Sequence, residues 1–296
     1  MIQFMKFRWL YFALSALVIL PGIVSLVLFG LRPSIDFTGG TELELKIIDK
    51  NHNAITEDAL KKETEGVLDI REVTMLKNSH VLLKALSVDV AKKDEAVQKL
   101  KTANEFVEEV RYETVGPVLG RELLVKTLIA VALSAGGIML YVAYRFKEMR
   151  YGVCAVLAMF HDMLVLIGTF SLLGYFLHVE VDVLFVTAVL TILSFSVHDT
   201  IVVYDRIREL KRKERGLTYV ETIDTAVTET LSRSLNNSLT IIFMLLALWL
   251  LGGDTIRWFV FALLIGTITG TYSSTFTAAP LLVIWDGVQA RRKKIK

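Results

Sequence analysis

The sequence is poor in the residues that build disulfide-linked, metal-binding or disordered proteins. It has 1 cysteine and 4 prolines among 296 residues. The single thiol, Cys154, excludes an intrachain disulfide framework and a cysteine metal site. Few prolines and the lack of a low-complexity tract argue against long disordered linkers. No nucleophile–base arrangement or metal-ligand spacing occurs, and Gly39–Gly40 is too short for a phosphate loop. We therefore expect no enzymatic activity, no metal site and no cofactor.

Long apolar runs are what the sequence has in excess. Hydrophobic residues make up 53% of the chain and the mean hydropathy is +0.52, which is high for a soluble domain. A membrane-crossing helix needs about 20 mostly apolar residues. Six such segments are predicted: Trp9–Gly30, Leu123–Tyr144, Tyr151–Phe176, Val181–Tyr204, Leu235–Leu251 and Arg257–Trp285. The predicted fold class is an α-helical polytopic membrane protein.

The first apolar segment is predicted to be an uncleaved anchor, over residues 1–30. Lys6 and Arg8 precede it, as basic residues precede a signal peptide. Its apolar run is longer than the roughly 7–15 residues of a signal peptide, and no Ala-x-Ala site follows.

Basic residues collect beside alternate ends of the segments. They occur at Lys6 and Arg8, at Arg145, Lys147 and Arg150, along Arg206–Arg215, and at Arg291–Lys296. The loops at 176–182 and 252–254 contain neither Lys nor Arg. The positive-inside bias therefore places both termini in the cytoplasm and residues 31–121 outside. Residues 122–285 are then a five-helix membrane domain, and 286–296 a basic cytoplasmic tail. This anchoring accounts for the basic runs, so nucleic-acid binding is not expected.

Residues 31–121 are predicted to form a soluble α+β domain between the first two membrane helices. Thr41–Ile48 alternates apolar and polar residues, as a half-buried strand does. Thr56 is placed to cap a helix over Glu57–Val67. The remaining elements are strands at Asp69–Leu76 and Val81–Leu86, joined by a turn at 77–80, a helix at 89–102 and a strand at Glu105–Thr114. The order βαββαβ is that of a ferredoxin-like fold, which we interpret as a binding or coupling module.

An acidic residue, Asp199, lies within the fourth apolar segment. Asp at the centre of a membrane helix costs roughly 2.5–3.5 kcal/mol on insertion scales, so we expect it to handle a proton or an ion. The alternative is a polar contact that only holds helices together. His198 precedes Asp199 and lies on a stripe of the helix about 100° around from it. The same two interpretations, ion handling and helix contact, apply to His198. That stripe also contains Thr187, Thr191, Ser194 and Asp205.

Arg233, near the start of the fifth segment, is the predicted partner of Asp199. At about 1.5 Å per residue the two lie at similar depth if the fifth helix begins near Thr230. Neighbouring antiparallel helices would then bring the guanidinium and the carboxylate together. The alternative is an interfacial arginine whose side chain reaches the headgroups. A polar face follows in either case, at Asn236, Asn237, Ser238 and Thr240.

A second acid, Asp162, follows His161 near the middle of the third segment. It is either a second relay carboxylate or a hydrogen-bonded packing residue, and the sequence favours neither.

Small residues recur every four positions along the sixth segment, at Gly266, Gly270, Ser274 and Ala278. Such a ridge lets another helix backbone approach closely, so we predict helix packing here. The second interpretation is a hydrated path lined by the neighbouring threonines at 267, 271 and 277.

Four motifs in order along the chain resemble the SecF family, protein-export membrane proteins of the resistance-nodulation-division superfamily. They are Ile-Asp-Phe-Thr-Gly-Gly-Thr (Ile35–Thr41), Val-Gly-Pro-Val-Leu-Gly-Arg-Glu-Leu (Val115–Leu123), His161-Asp162, and His-Asp-Thr-Ile-Val-Val-Tyr-Asp-Arg-Ile-Arg-Glu (His198–Glu209). The last motif is long and specific. With one span, an external domain and five further spans, the resemblance covers nearly the whole chain.

The resemblance implies half of a twelve-helix unit, formed with SecD in the bacterial cytoplasmic membrane beside the SecYEG channel. The implied function is to use the proton-motive force to draw preproteins outward after the motor SecA has pushed them. YajC is a further candidate partner. The family's essential acid corresponds to Asp199 and its essential arginine to Arg233. The family often has Asn before the acid, which reduces the role expected of His198. It commonly has a Thr-rich run after the arginine, so no role carries over to Asn236–Asn237.

Two other functions remain to be distinguished from export. A self-contained small-molecule exporter of the same superfamily needs a second half and a larger external domain with an apolar pocket. A non-transporting scaffold for SecD predicts that substitutions at Asp199 and Arg233 are silent, whereas Gly270→Leu is not.

Overall fold

The structure is a computed structural model that describes residues 3–48, 55–75, 79–213 and 216–295. The chain forms two compact units, one of Met1–Arg32 with Ile129–Lys296 and one of Pro33–Leu128. Parts of the predicted turn at 77–80 and of the basic runs lie outside the described residues, as do the side chains of the tail from Arg291 to Lys296.

Helices dominate the larger unit and a sheet the smaller one. In chain order the elements are a 3-10 turn (Phe4–Phe7), α1 (Arg8–Phe29), α2 (Ile35–Thr38), β1 (Gly40–Ile48), α3 (Glu57–Glu63), β2 (Ile70–Met75), β3 (His80–Ala85), α4 (Val90–Ala103), β4 (Phe106–Val115), α5 (Pro117–Phe146), α6 (Met149–Leu177), α7 (Val183–Lys213), α8 (Tyr219–Leu251), α9 (Asp254–Ser273), a π segment (Ser274–Ala278) and α10 (Ala279–Ile295).

The smaller unit has the predicted βαββαβ order. Its antiparallel sheet has the strand order β2-β3-β1-β4. The alternation in β1 turns Leu43, Leu45 and Ile47 inward, at 1%, 0% and 1% exposed, into a core shared with α3 and α4. The hydroxyl of Thr56 accepts a hydrogen bond from the Ala59 amide, which caps α3 as expected. The predicted α+β domain is confirmed.

The Gly39–Gly40 pair is a backbone turn that only glycine tolerates. Both residues have positive φ, 70° at Gly39 and 144° at Gly40, a region that side chains disfavour. A Cβ atom on Gly39 would lie 2.6 Å from Pro117 Cα. The turn before β1 therefore packs directly on the start of α5.

In the part of the chain that the structure describes, six helical segments are long and apolar enough to cross a membrane. They are Phe4–Phe29, Pro117–Phe146, Met149–Leu177, Val183–Lys213, Tyr219–Leu251 and Thr255–Gln289. Their number and order confirm the predicted polytopic class.

The fifth helix starts far earlier than the sequence predicted. We expected it near Leu235 or Thr230, but α8 begins at Tyr219, after a capping box formed by Thr218 and Glu221. Inward-facing residues of this first part are fully buried: Ile223, Ala226 and Val227. The sequence predicted only the apolar part of this helix, because Glu221, Asp224 and Glu229 lower the average hydropathy of its first part.

Two glycines allow a close helix crossing in the larger unit. A Cβ atom on Gly22 of α1 would lie 2.8 Å from Gly168 Cα of α6, and one on Gly168 would lie 2.6 Å from Gly22 Cα. The two backbones are thus in contact, as small residues allow between membrane helices.

Candidate functional site: two buried carboxylates

Asp199 lies in α7 where α8 and the last transmembrane helix meet it. Its side chain is buried, with 5% of the residue exposed. Ser234 of α8 donates a hydrogen bond to Oδ1 at 2.8 Å, and Ser274 donates to Oδ2 at 2.8 Å. Both carboxylate oxygens are therefore held by neutral hydroxyl groups, which come from two other helical elements.

Asp162, in α6, is the more deeply buried acid, at 0% exposed. Ser196 of α7 donates to its Oδ2 at 2.5 Å, and Ser273 of α9 donates to the same oxygen at 2.6 Å. His161 Nδ1 lies 3.0 Å from Oδ1. The structure thus gives Asp162 three hydrogen-bond partners on three helices, and both interpretations of this residue stay open.

His161 extends the Asp162 site to α1. Its Nε2 lies 2.9 Å from Ser15 Oγ, and Ser15 Oγ lies 3.4 Å from the hydroxyl of Tyr272. The Tyr272 hydroxyl donates to the Tyr11 carbonyl at 2.9 Å. A chain of polar contacts therefore runs from Asp162 into the first membrane helix.

Arg233 does not form the predicted ion pair in this structure. The residue is exposed, and within the described part of the chain its guanidinium has no carboxylate oxygen within 4.0 Å. Its neighbour Ser234 occupies the position facing Asp199. Successive residues lie about 100° apart on a helix, so the pair requires a rotation or shift of α8 relative to α7.

His198 is also exposed, on the side of α7 away from Asp199. Across the described ranges its side chain has no hydrogen-bond partner, and the same holds for the side chains of Arg233, Asn236 and Asn237. We call these four exposed side chains of α7 and α8 the uncovered polar set.

The predicted ridge of small residues lies against α7. A Cβ atom on Gly266 would meet Ile192 at 2.1 Å, and one on Gly270 would meet Phe195 and Ser196 at 3.4 Å. Ser274 binds Asp199, and the Ala278 carbonyl accepts a hydrogen bond from Tyr204 at 3.1 Å. The ridge thus serves both close packing and the Asp199 site.

Sequence reasoning missed the serines that hold the two acids. Ser196, Ser234 and Ser273 were not predicted, and Ser274 was predicted only for packing. One signal was present, because Ser196 and Asp199 are three residues apart and share a helix face. Asp224 of α8 was also missed; it is 3% exposed and accepts a hydrogen bond from the Met5 amide at 2.8 Å.

Metal binding has no support in the described ranges. There, no group of three or more His, Cys, Asp or Glu side chains is placed to hold a metal ion.

Two family models match the chain. The model for the protein export membrane protein SecD/SecF, C-terminal, matches residues 95–288. The SecD/SecF GG motif matches residues 24–47, which include Gly39–Gly40.

Similar proteins match over most of the chain. The protein translocase subunit SecF of Thermobaculum terrenum is 40% identical over 299 residues, covering 97% of this chain and 94% of its own length. SecF of Anaerolinea thermophila is 38% identical over 297 residues, covering 98% and 96%. SecDF of Bacillus subtilis is 32% identical and covers 98% of this chain, but only 39% of its own length is matched.

Two solved structures are similar to this chain in fold. The crystal structure of SecDF, a translocon-associated membrane protein from Thermus thermophilus, has a TM-score of 0.83 at 32% identity and covers 97% of this chain. SecDF in its super-membrane-facing form has a TM-score of 0.72 at 31% identity. This chain spans 39% and 40% of those longer proteins. With the family model, the whole-length relatives and the fold in agreement, the chain belongs to the SecF family of protein translocase subunits.

Proposed function

We propose that this chain pairs with a SecD-type subunit in the bacterial cytoplasmic membrane and uses the proton-motive force to promote protein translocation. Family membership supports the role in export. The SecDF relatives support the pairing, because there the matched region is about two fifths of one longer chain. The SecYEG channel, SecA-driven preproteins and YajC belong to the proposal as further partners. The distribution of Lys and Arg supports cytoplasmic termini and an outward-facing Pro33–Leu128 unit.

The observation that carries the proton-coupled part is the environment of Asp199. The residue is 5% exposed in an apolar helix and is held by two serine hydroxyls. A carboxylate held only by neutral donors can gain a proton without breaking an ion pair. Each proton that crosses the membrane is driven by roughly 2.3 kcal/mol per 100 mV.

Arg233 takes part in the second state of this cycle. After a shift of α8, its guanidinium replaces the Ser234 hydroxyl beside ionised Asp199, and protonation of Asp199 releases it. Alternation between these arrangements moves α8 against α7, and the movement is passed to the external domain, which binds the emerging polypeptide.

The uncovered polar side chains support a partner within the membrane. His198, Arg233, Asn236 and Asn237 are exposed on two membrane helices. Polar groups facing lipid are costly, so they favour burial against another protein. The SecD-type subunit is the proposed cover, and it also completes the twelve-helix unit.

Preprotein transport into inverted membrane vesicles tests the proposal. Asp199→Asn and Arg233→Ala are expected to reduce transport to the level found when the proton-motive force is collapsed. The matched control is Asp205→Asn, because Asp205 lies on the same helix but is 41% exposed and pairs with Arg145. Transport by Asp199→Asn that still responds to the proton-motive force would contradict the proposal.

The two rival functions give different outcomes. A small-molecule exporter predicts that the purified chain is a homo-oligomer with bound small molecule rather than a complex with SecD and channel subunits. A scaffold predicts silent Asp199→Asn and Arg233→Ala variants, with loss of the complex in Gly270→Leu, since a side chain there meets α7.

A further inference from the structure

Two consecutive serines connect the two buried acids. Ser273 donates to Asp162 at 2.6 Å and Ser274 donates to Asp199 at 2.8 Å. Both serines are 0% exposed. Two consecutive residues of the last transmembrane helix are thus each bonded to a different buried acid.

Each hydroxyl also has a second acceptor within reach. Ser273 Oγ lies 3.3 Å from the Gly270 carbonyl, and Ser274 Oγ lies 3.0 Å from the Thr271 carbonyl. A hydroxyl has one hydrogen to donate and two lone pairs to accept with. It can therefore donate to an ionised acid, or accept from a protonated acid while it donates to its own helix.

The two serines lie where the last helix changes its geometry. Ser273 is the final residue of α9, and Ser274 begins the π segment. Single π turns inside α-helices are rare. Those that occur are often found at functional sites. In this segment the Thr277 hydroxyl is buried without a hydrogen-bond partner among the described residues. The segment thus combines an unusual backbone with an unsatisfied polar group.

We propose that Ser273 and Ser274 are positioning residues that couple Asp199 to Asp162. The inference rests on the proposed function, in which Asp199 takes up a proton. When Asp199 is ionised, Ser274 donates to it. When Asp199 is protonated, its O–H donates to Ser274 Oγ and the serine hydrogen turns to the Thr271 carbonyl; no bond to the serine forms or breaks. The adjacent Ser273 then adjusts its hydrogen bond to Asp162.

A second link runs through α7 itself. Ser196, one helical turn before Asp199, donates to the same Asp162 oxygen as Ser273. From Asp162 the contacts continue through His161 to Ser15. Protonation of Asp199 is in this way transmitted to α1, the helix after which the chain enters the Pro33–Leu128 unit.

Other titratable or charged groups lie near the coupled pair in space or in sequence. His161 is bonded to Asp162, and Tyr272 contacts Ser15. His198 and Arg233 are sequence neighbours of Asp199 and Ser234 but are exposed. The link between the acids is therefore made of hydroxyl groups, which do not titrate.

The test is the pH profile of proton uptake by proteoliposomes that contain this chain with its SecD-type partner. Ser274→Ala removes a donor from ionised Asp199, so the midpoint is expected to rise by about one pH unit. Ser273→Ala also shifts the midpoint, although Asp162 is the acid that Ser273 contacts and Asp199 is not. The double variant departs from the sum of the two shifts by more than about 0.3 pH unit, as coupled sites do. Ser274→Thr keeps the hydroxyl and restores the parent midpoint.

A purely structural role gives a different pattern. It lowers uptake by the same factor at every pH and leaves the midpoint of each serine variant equal to that of Ser134→Ala, a control on α5. Coupling is also overturned if only Ser274→Ala shifts the midpoint or if the two shifts add. The proposed function fails separately, if Asp199→Asn takes up protons as the parent does.

Discussion

At the residue scale, the two membrane acids are held by serines rather than by cations. Hydrogen bonds to a charged group contribute roughly 1.5–3 kcal/mol each, and a buried donor left without its acceptor costs about 1–3 kcal/mol. Asp162 has three partners in a fully buried site. Arg233 has an exposed side chain. Loss of the Asp162 side chain and loss of the Arg233 side chain are therefore expected to change the free energy of unfolding by different amounts.

We expect Asp162→Ala to lower the free energy of unfolding by about 2–4 kcal/mol, because Ser196, Ser273 and His161 lose a shared acceptor. Arg233→Ala is expected to change it by less than about 0.5 kcal/mol. Denaturant unfolding of the purified chain in detergent micelles measures both. Equal destabilisation by the two variants would contradict this account of the site.

Lys93 gives a second residue-scale prediction, in the external domain. Its Nζ lies 2.8 Å from both Asp94 and Glu109. Hydrogen bonds to Asp94 and Glu109 raise the pKa of Lys93 above its usual 10.5. A raised pKa in the folded state gives stability that is complete below the unfolded pKa and is lost as pH rises through the folded value. Asp94 is 62% exposed and Glu109 is 34% exposed, so solvent screening weakens the contribution of both carboxylates.

Lys93→Met is therefore expected to weaken the domain by about 1 kcal/mol at pH 8 and by less above pH 10.5. The hydrogen-exchange rates of β4 in the variant and the parent, compared at each pH, measure this difference. A difference that grows with pH would contradict the assignment.

The sequence predicted the acids but not the residues that hold them. Asp199 stood out because a carboxylate in an apolar segment is costly. Ser234 and Ser196 carried no such signal, since serine in a membrane helix often bonds its own helix backbone. The Asp199–Arg233 pairing was inferred from depth alone, and depth does not fix which face of α8 meets α7.

At the element scale, glycine contacts determine which helices can approach. The contact of Gly22 with Gly168 leaves no space for a side chain on either residue. By contrast, a Cβ atom on Gly137 of α5 would meet nothing within 4 Å. Alanine substitutions at Gly168 and at Gly137 therefore separate the effect of packing from the effect of helix propensity.

Gly168→Ala is expected to destabilise the chain by about 1–3 kcal/mol, as overpacking does. Gly137→Ala is expected to be neutral or to stabilise by up to about 1 kcal/mol, because Ala is the better helix former. Thermal unfolding in the same detergent compares them. Stabilisation by both would show that the α1–α6 crossing is not close-packed in the membrane.

Element boundaries were predicted well where one face alternates or a long run is mostly apolar. β1 and α6 are examples, because burial on a regular period leaves a clear pattern. The first part of α8 was missed because its charged residues lower the average hydropathy on which the prediction depended. The π segment had no sequence signal, since its backbone geometry depends on contacts with α7.

At the scale of the whole molecule, the proposed burial of His198, Arg233, Asn236 and Asn237 against a SecD-type subunit gives a labelling prediction. Asn237→Cys is expected to react with a membrane-permeant maleimide in the chain alone and to be protected when the SecD-type subunit is present. Leu133→Cys on α5, where the parent side chain is 71% exposed, is the control and should react equally in both cases. Because buried Cys154 is the single native cysteine, its replacement by Ala gives a clean background. Equal labelling of Asn237→Cys with and without the partner would place the interface elsewhere.

The central claim is that Asp199 carries protons across the membrane. Acid-driven proton uptake by proteoliposomes containing the chain and its SecD-type partner, read with an internal pH-sensitive dye, tests it most directly. The account predicts that Asp199→Asn reduces uptake to that of protein-free vesicles, whereas Asp205→Asn retains the parent rate. Parent-like uptake by Asp199→Asn would contradict it.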